Sequence, residues 1–512
     1  MFCGRLGNDV MAGYGLASAT INVTTAATGY GLGLACDTLV SQTFGAKNLL
    51  RVGVILQRGI IILLLFCLPC WGLLINAQAI LLCVGQGPEV ARIAQLYITA
   101  FLPAVPLHFW WKRRCDHADY FLCPQGIILP QMYSAALANI ANVVTNYIFI
   151  HWLDLGVGGS AAANTLSQIY ICTFLFAYIW WKRLHVTTWG GWSVESLQDW
   201  SSYMKLAIPS TLMKCFEWWV YEFGGFFAGM LSENELAAQH AVMMVAVITY
   251  MFPLGIQAAA CARVGNALGA GDTGRALLTS KMSLTLFPIT LLPLYRFWSL
   301  VLGSIKTVIG FVFTSDEKII GLVSQLMNAY CFLQFFDGLV CVCTGIFLGT
   351  GKQKIPAVAN FIGYYCIGLS LSITLTFVAK LRVLGFWLGL LVCVILQSTF
   401  YIIIIFKLNW EQITEKLMDG YISVSTECQD RGTVVQDRDV TQKLKGSRLS
   451  ITQLILRRGL IMFAAVALLA LGAGVHFLVP LPETNSTVDS INTTYTPDQI
   501  FSTMLVPDEE SE

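Results

Sequence analysis

Val264-Gly265-Asn266-Ala267-Leu268-Gly269-Ala270 restates, 224 positions later, the pattern of Val40-Ser41-Gln42-Thr43-Phe44-Gly45-Ala46. Pro130 and Pro356 each open an apolar run and stand 226 positions apart. The final glycines of Leu155-Gly156-Val157-Gly158-Gly159 and Arg382-Val383-Leu384-Gly385 are also 226 apart. Three near-equal offsets imply two homologous halves, joined near the loop at Leu184–Trp200.

The runs around these anchors have the length that a membrane helix requires, about 20 apolar residues. Twelve candidate spans emerge: 9–41, 53–76, 92–111, 127–150, 158–181, 203–231, 236–262, 276–303, 319–348, 355–379, 384–407 and 457–479. Composition agrees. Of 512 residues, 56% are hydrophobic and only 12% charged, where a soluble domain carries about 25%. The expected fold is an all-α polytopic membrane protein, with two pseudo-symmetric helical lobes and an extra C-terminal helix.

A net charge of +1 argues against a nucleic-acid partner. The 16 cysteines are scattered through apolar runs, so the CxxC pair Cys67 and Cys70 reads as buried small hydrophobes. Six histidines show no ligand spacing, and no metal site is expected. No GKS or GKT follows a glycine-rich loop, so ATP is not expected to be used, and neither triad nor metal cluster suggests an enzyme. Met1-Phe2-Cys3-Gly4-Arg5 shows no cleavable signal peptide.

Orientation follows from Lys and Arg in the short loops. One alternate set carries Lys47 and Arg51; Lys112, Arg113 and Arg114; Lys182 and Arg183; Arg263 and Arg275; Lys352 and Lys354. The opposite set is poorer, so the first set is expected to be cytoplasmic. The chain then divides into a first lobe (1–183), an inter-lobe loop (184–202), a second lobe (203–408), a flexible cytoplasmic linker (409–453), a terminal span (454–480) and an extracellular tail (481–512). Asn485 and Asn492 head acceptor sequons in that tail, as glycosylation candidates. The second lobe has six spans and the first only five. By offset the missing one precedes residue 9, so an N-terminally short chain is expected.

One stretch stands out chemically: Lys214-Cys215-Phe216-Glu217-Trp218-Trp219-Val220-Tyr221-Glu222, inside an apolar run from about Leu206 to Leu231. An ionised carboxylate at hydrocarbon depth costs roughly 3 kcal/mol by insertion scales. Residues four apart share a helix face, so Glu217 is expected with Tyr221 and Trp218 with Glu222, the two acids on different flanks. Pro209 is expected in the first helical turn, which places Glu217 near the bilayer midplane. Lys214 lies one turn from Glu217 and either pairs with it or snorkels to the cytoplasmic face, and snorkelling is the expected arrangement. Burial disfavours an ionised carboxylate and a bound cation favours it, so a proton and an organic cation compete for one negative charge. Rings such as Trp218 and Tyr221 hold a cation without demanding one shape.

Cys36-Asp37-Thr38-Leu39-Val40-Ser41-Gln42-Thr43-Phe44-Gly45, Val52-Gly53-Val54-Ile55-Leu56-Gln57-Arg58, Glu217-Trp218-Trp219-Val220-Tyr221-Glu222 and Arg263-Val264-Gly265-Asn266-Ala267-Leu268-Gly269-Ala270-Gly271-Asp272 resemble the multidrug and toxin extrusion (MATE) family in its animal form. The resemblance covers nearly the whole chain to about Lys407, plus the terminal span. It implies two lobes facing a central cavity and exchange of protons for organic cations, with no cofactor beyond the proton gradient. It implies a multi-pass plasma-membrane protein, apical in the family, among membrane lipids. A monomer is the default.

The resemblance also assigns residues. Glu217, Glu222 and Asp337 match acids that handle cations and protons in the family. A further family acid aligns with Met244, and a tyrosine usual beside it is replaced by Met243. The stretches 109–120 and 294–298 do not follow the family pattern. Each acid has a plain alternative, a structural hydrogen bond to a neighbouring helix, and each ring has packing as its alternative. The whole chain has alternatives too: a non-transporting or regulatory member, or a transporter with another coupling ion or solute.

Overall fold

The computed structural model describes residues 8–103, 129–183, 191–289, 317–429 and 451–478. Every regular element among them is helical. The first lobe contains α1 (Asn8–Ile21), α2 (Ala27–Gly45), α3 (Leu49–Ile75), α4 (Ala77–Cys83), α5 (Pro88–Phe101), α6 (Leu129–Tyr147) and α7 (Gly156–Trp181). After a short 3-10 turn come α8 (Trp200–Leu231), α9 (Glu233–Gly269), α10 (273–289), α11 (Glu317–Thr350), α12 (Lys354–Asn360), α13 (Ser370–Ile373), α14 (Arg382–Lys407), α15 (Trp410–Gln429) and α16 (Ile451–Leu478). Among the described residues, six helical stretches are long and apolar enough to cross a membrane: Leu49–Ile75, Asn234–Gly269, Glu317–Thr350, Lys354–Val378, Arg382–Lys407 and Thr452–Leu478. The other sequence spans are helical where they are described, except that the helix in the span 92–111 ends at Phe101 and turns over 102–103. The stretches 109–120 and 294–298 and both sequons lie outside the described residues.

The repeat is written into the backbone. A π turn at Ile148–Trp152 closes α6, and another at Thr374–Val378 stands 226 positions on. In the first, Leu153 N donates to Ile148 O at 3.1 Å and Leu155 N to Phe149 O at 3.0 Å. In the second, Ala379 N donates to Thr374 O at 3.0 Å and Leu381 N to Leu375 O at 3.1 Å, each pair again 226 on. Asp154 and Lys380 take positive φ at the two corners. Gly159 and Gly385 then let the following helix run against Phe149 and Leu375 respectively, where a Cβ would not fit.

Each half packs its own core. Leu32, Leu63 and Tyr97 are buried in the first, and Tyr330, Phe347, Phe386 and Trp387 in the second. Helix α8 belongs to both. Its start, through Trp200, Tyr203 and Ala207, lies in the first core, and Val220 and Ala228 lie in the second. The boundary expected at 203 therefore does not separate the cores, because Tyr203 anchors to the Leu32 carbonyl at 3.0 Å.

The halves meet through the segments that announced the repeat. Gly45 lies against the Asn266 backbone, and Gly269 lies against Gln42, its partner's equivalent. Thr38 Oγ1 donates to Leu348 O at 2.9 Å and accepts from Gln353 Nε2 at 2.7 Å. Gln42 Nε2 donates to Gly349 O at 2.9 Å. Two pseudo-equivalent helix ends thus interlock reciprocally at the Lys47 end of the molecule.

Residues 409–453 were expected as a flexible linker, but 410–429 form α15. Asn409 caps it, accepting from Gln412 N at 3.1 Å. Trp410, Ile413, Thr414 and Leu417 fall at helical spacing on one face and pack on the second core. Thr273 Oγ1 donates to Thr414 Oγ1 at 3.0 Å. The polar composition hid an amphipathic helix. Helix α16 runs along α3, where Gly72 and Gly472 bring the backbones together and Asn76 Nδ2 donates to Gly472 O at 2.7 Å.

Candidate functional site

Helix α8 begins at Trp200, so Pro209 lies in its interior and not in its first turn. Glu217 still falls near the middle of this 32-residue helix. Asn360 fixes the local backbone, donating from Nδ2 to Met213 O at 2.9 Å, and Tyr401 in turn donates to Asn360 Oδ1 at 2.6 Å.

Lys214 does not reach the surface. Its side chain is 1% exposed and that of Glu217 6%. Its ammonium donates to Glu217 Oε1 and Oε2, each at 2.9 Å. A lysine this far from either helix end has no route to water, and a carboxylate one turn away gives it the pairing that burial demands. The Tyr30 ring of α2 lies 5.9 Å from Nζ. Glu217 Oε1 also accepts from the Tyr250 hydroxyl of α9 at 2.6 Å.

Asp337 is buried on α11, near the Tyr221 phenol and close enough to Glu217 and Lys214 for their charges to act on it. One turn on, Cys341 Sγ donates to Gln257 Oε1 at 2.8 Å. Towards the other end, Tyr330 donates to Gln334 Oε1 at 2.6 Å and also bonds Thr249. Trp387 donates to Gln239 Oε1 at 2.7 Å, its ring 5.6 Å from that of Tyr330 and 6.4 Å from that of Tyr221. The structure therefore brings Glu217 and Tyr221 of α8, Tyr250 of α9 and Asp337 of α11 into one polar cluster across three helices.

The other sequence candidates lie apart from it. Trp218 is half-buried and stacks on Tyr30, with ring centroids 5.7 Å apart and planes 16° from parallel. Trp219 Nε1 donates to Val23 O at 3.1 Å, at the π turn between α1 and α2. Both rings tie α8 to the first lobe. Glu222 is half-buried and has no side-chain partner among the described residues. Met243 packs against the second core, and Met244 is 38% exposed.

The sequence reading missed Tyr250, Gln257, Cys341 and Tyr30. Two stripes could have signalled the first three. Tyr330, Gln334, Asp337 and Cys341 recur at spacings of four, three and four, and Met243, Tyr250 and Gln257 at sevens, each one face of a helix.

A family model described as MatE matches residues 1–148 and 209–374. The chain is 47% identical over 443 residues to multidrug and toxin extrusion protein 1 of Danio rerio, covering 86% of this chain and 74% of that protein. It is 41% identical over 515 residues to the Homo sapiens protein of the same name, covering 94% and 89%. A crystal structure of a eukaryotic MATE transporter, AtDTX14, superposes with a TM-score of 0.76 at 26% identity, covering 81% of this chain and 92% of that one.

Proposed function

The chain belongs to the multidrug and toxin extrusion family of membrane transporters, and we propose that it exports organic cations in exchange for protons by alternating access, from the plasma membrane. One observation carries this reading. Two acids, Glu217 and Asp337, are buried together in mid-membrane helices with the phenols of Tyr221 and Tyr250. Buried acids at such depth persist where they handle ions. A carboxyl that takes up a proton loses its hold on a cation, and one that releases the proton regains it. Glu222 adds an acid on another flank with no side-chain partner among the described residues, and Trp218 an aromatic face suited to cations.

The lobes are interlocked at the Lys47 end by Gly45 with Asn266 and Gly269 with Gln42. With the Lys- and Arg-rich loops cytoplasmic, this contact is the inner gate that must part for a solute to enter. Transporters built from parallel repeats rock them around such a junction.

The test uses the purified chain in proteoliposomes with tetraethylammonium. A pH gradient drives uptake, a sodium gradient does not, and Glu217→Gln and Asp337→Asn each abolish the pH-driven component. Uptake that follows sodium, or full pH-driven uptake in both variants, overturns the reading. The Lys214–Glu217 pair favours a second reading, a non-transporting member that keeps the scaffold. Ligand binding without flux in the same vesicles would establish it.

A further inference from the structure

A lysine buried this deeply in a membrane helix persists only with strong partners. Lys214 has them on several helices. Glu217 takes its ammonium with both oxygens at 2.9 Å, and the Tyr30 ring faces it at 5.9 Å, within cation–π range. Tyr250 holds Glu217 from α9. Cys341 and Asp337 of α11 are the other titratable groups acting on the ammonium. A carboxylate, a phenol and an aromatic face around one ammonium form the constellation that would hold the head group of an organic cation.

We propose that the Lys214 ammonium is a tethered occupant of a cation subsite built by Glu217, Tyr250 and Tyr30, and that it sets the charge selectivity of the site by cancelling one negative charge there. This rests on the reading of the chain as an organic-cation exporter. With Glu217 already matched and Glu222 on another flank, the charge of a solute in this cluster falls to Asp337 alone, so a solute with one positive charge suits the site better than one with two.

Lys214→Ala deletes Cγ, Cδ, Cε and Nζ, the heavy atoms of propylammonium, and leaves Glu217 without its cation. Apolar cavities made by truncation take up small molecules that match the deleted atoms, and here the match includes a charge. The full-length protein in detergent is melted with and without n-propylammonium, with n-propanol as the neutral control. K214A melts lower than the wild type by roughly 5 °C or more. Propylammonium restores the loss saturably, propanol does not, and the restoration vanishes in K214A/E217Q.

Lys214→Met keeps most of the stem and gives a second measurement. It strengthens binding of a bis-quaternary ammonium relative to tetraethylammonium by about tenfold, since one uncancelled charge returns to the site. Equal effects of propylammonium and propanol, rescue that survives E217Q, or a wild-type binding ratio in K214M each overturn the proposal. The outcomes separate it from the exporter reading. If wild-type vesicles show no pH-driven cation flux but K214A is rescued, the exporter reading fails and the subsite stands. If the wild type exports and K214A is not rescued, the subsite alone fails.

Discussion

Lys214 donates to both carboxylate oxygens of Glu217 at 2.9 Å, three residues apart on one helix and buried from solvent. The pair sits inside a hydroxyl-rich cluster that includes Tyr250, and Asp337 lies close enough to act on both members.

Breaking a buried ion pair from one side leaves an uncompensated charge and costs about 3–5 kcal/mol, whereas removing both partners costs far less. Glu217→Gln alone should therefore destabilise the purified protein by about that amount. K214M/E217Q should recover most of the stability without recovering flux. Thermal or denaturant melts of the three variants check this, and a double variant no more stable than E217Q would show that the pair is not the cause.

Tyr250 donates to Glu217 Oε1 at 2.6 Å, and a hydrogen bond to a charged group contributes about 1.5–3 kcal/mol. Tyr250→Phe should lose that much in the wild-type background and nearly nothing in E217Q. A double-mutant cycle measured by chemical denaturation gives the coupling directly. Additive losses would mean that the bond is not made in solution.

Gly45 and Gly269 allow the two repeat segments to touch, with the Asn266 and Gln42 backbones where a Cβ would stand. Gly45→Val and Gly269→Val should each hold the Lys47 end apart and slow flux by about tenfold or more, because packed junctions of this kind have discrete states. Cys261, buried near this junction, should gain maleimide labelling, read by mass spectrometry. Unchanged labelling and flux in both variants would remove the junction from the transport cycle.

Ile413 is buried under α15 one turn from Trp410. Ile413→Glu should detach the helix, with a loss of about 2–3 kcal/mol from exposing the apolar face and burying no compensating partner. Hydrogen exchange over 410–419 should rise to that of an unprotected segment. Wild-type protection in this variant would show that burial of Ile413 does not hold the helix in place.

Most of the frame was legible in the sequence because it is set by local and repeated constraints. Apolar runs of bilayer length dictate helices, and equal offsets dictate two halves. The matched π turns and corner residues at 226 positions are the same constraint expressed in backbone. The placing of Glu217 near mid-helix was likewise readable from the length of the run, even though Pro209 proved to be interior. Helix α15 was not legible, because its polar composition outweighed four residues at helical spacing whose burial depends on a surface built by distant helices.

The sequence by itself determined a two-lobed helical membrane protein with acids and aromatic rings at depth in its second lobe, since hydrophobic length and periodicity act along one chain. Only the tertiary structure decided what those groups do to one another. Whether Lys214 turned to water or to Glu217 depended on Tyr250, Tyr30 and Asp337, which come from three other helices. A charge in a low-dielectric interior is governed by whatever partners lie within a few ångströms, and that neighbourhood exists only once the helices have packed.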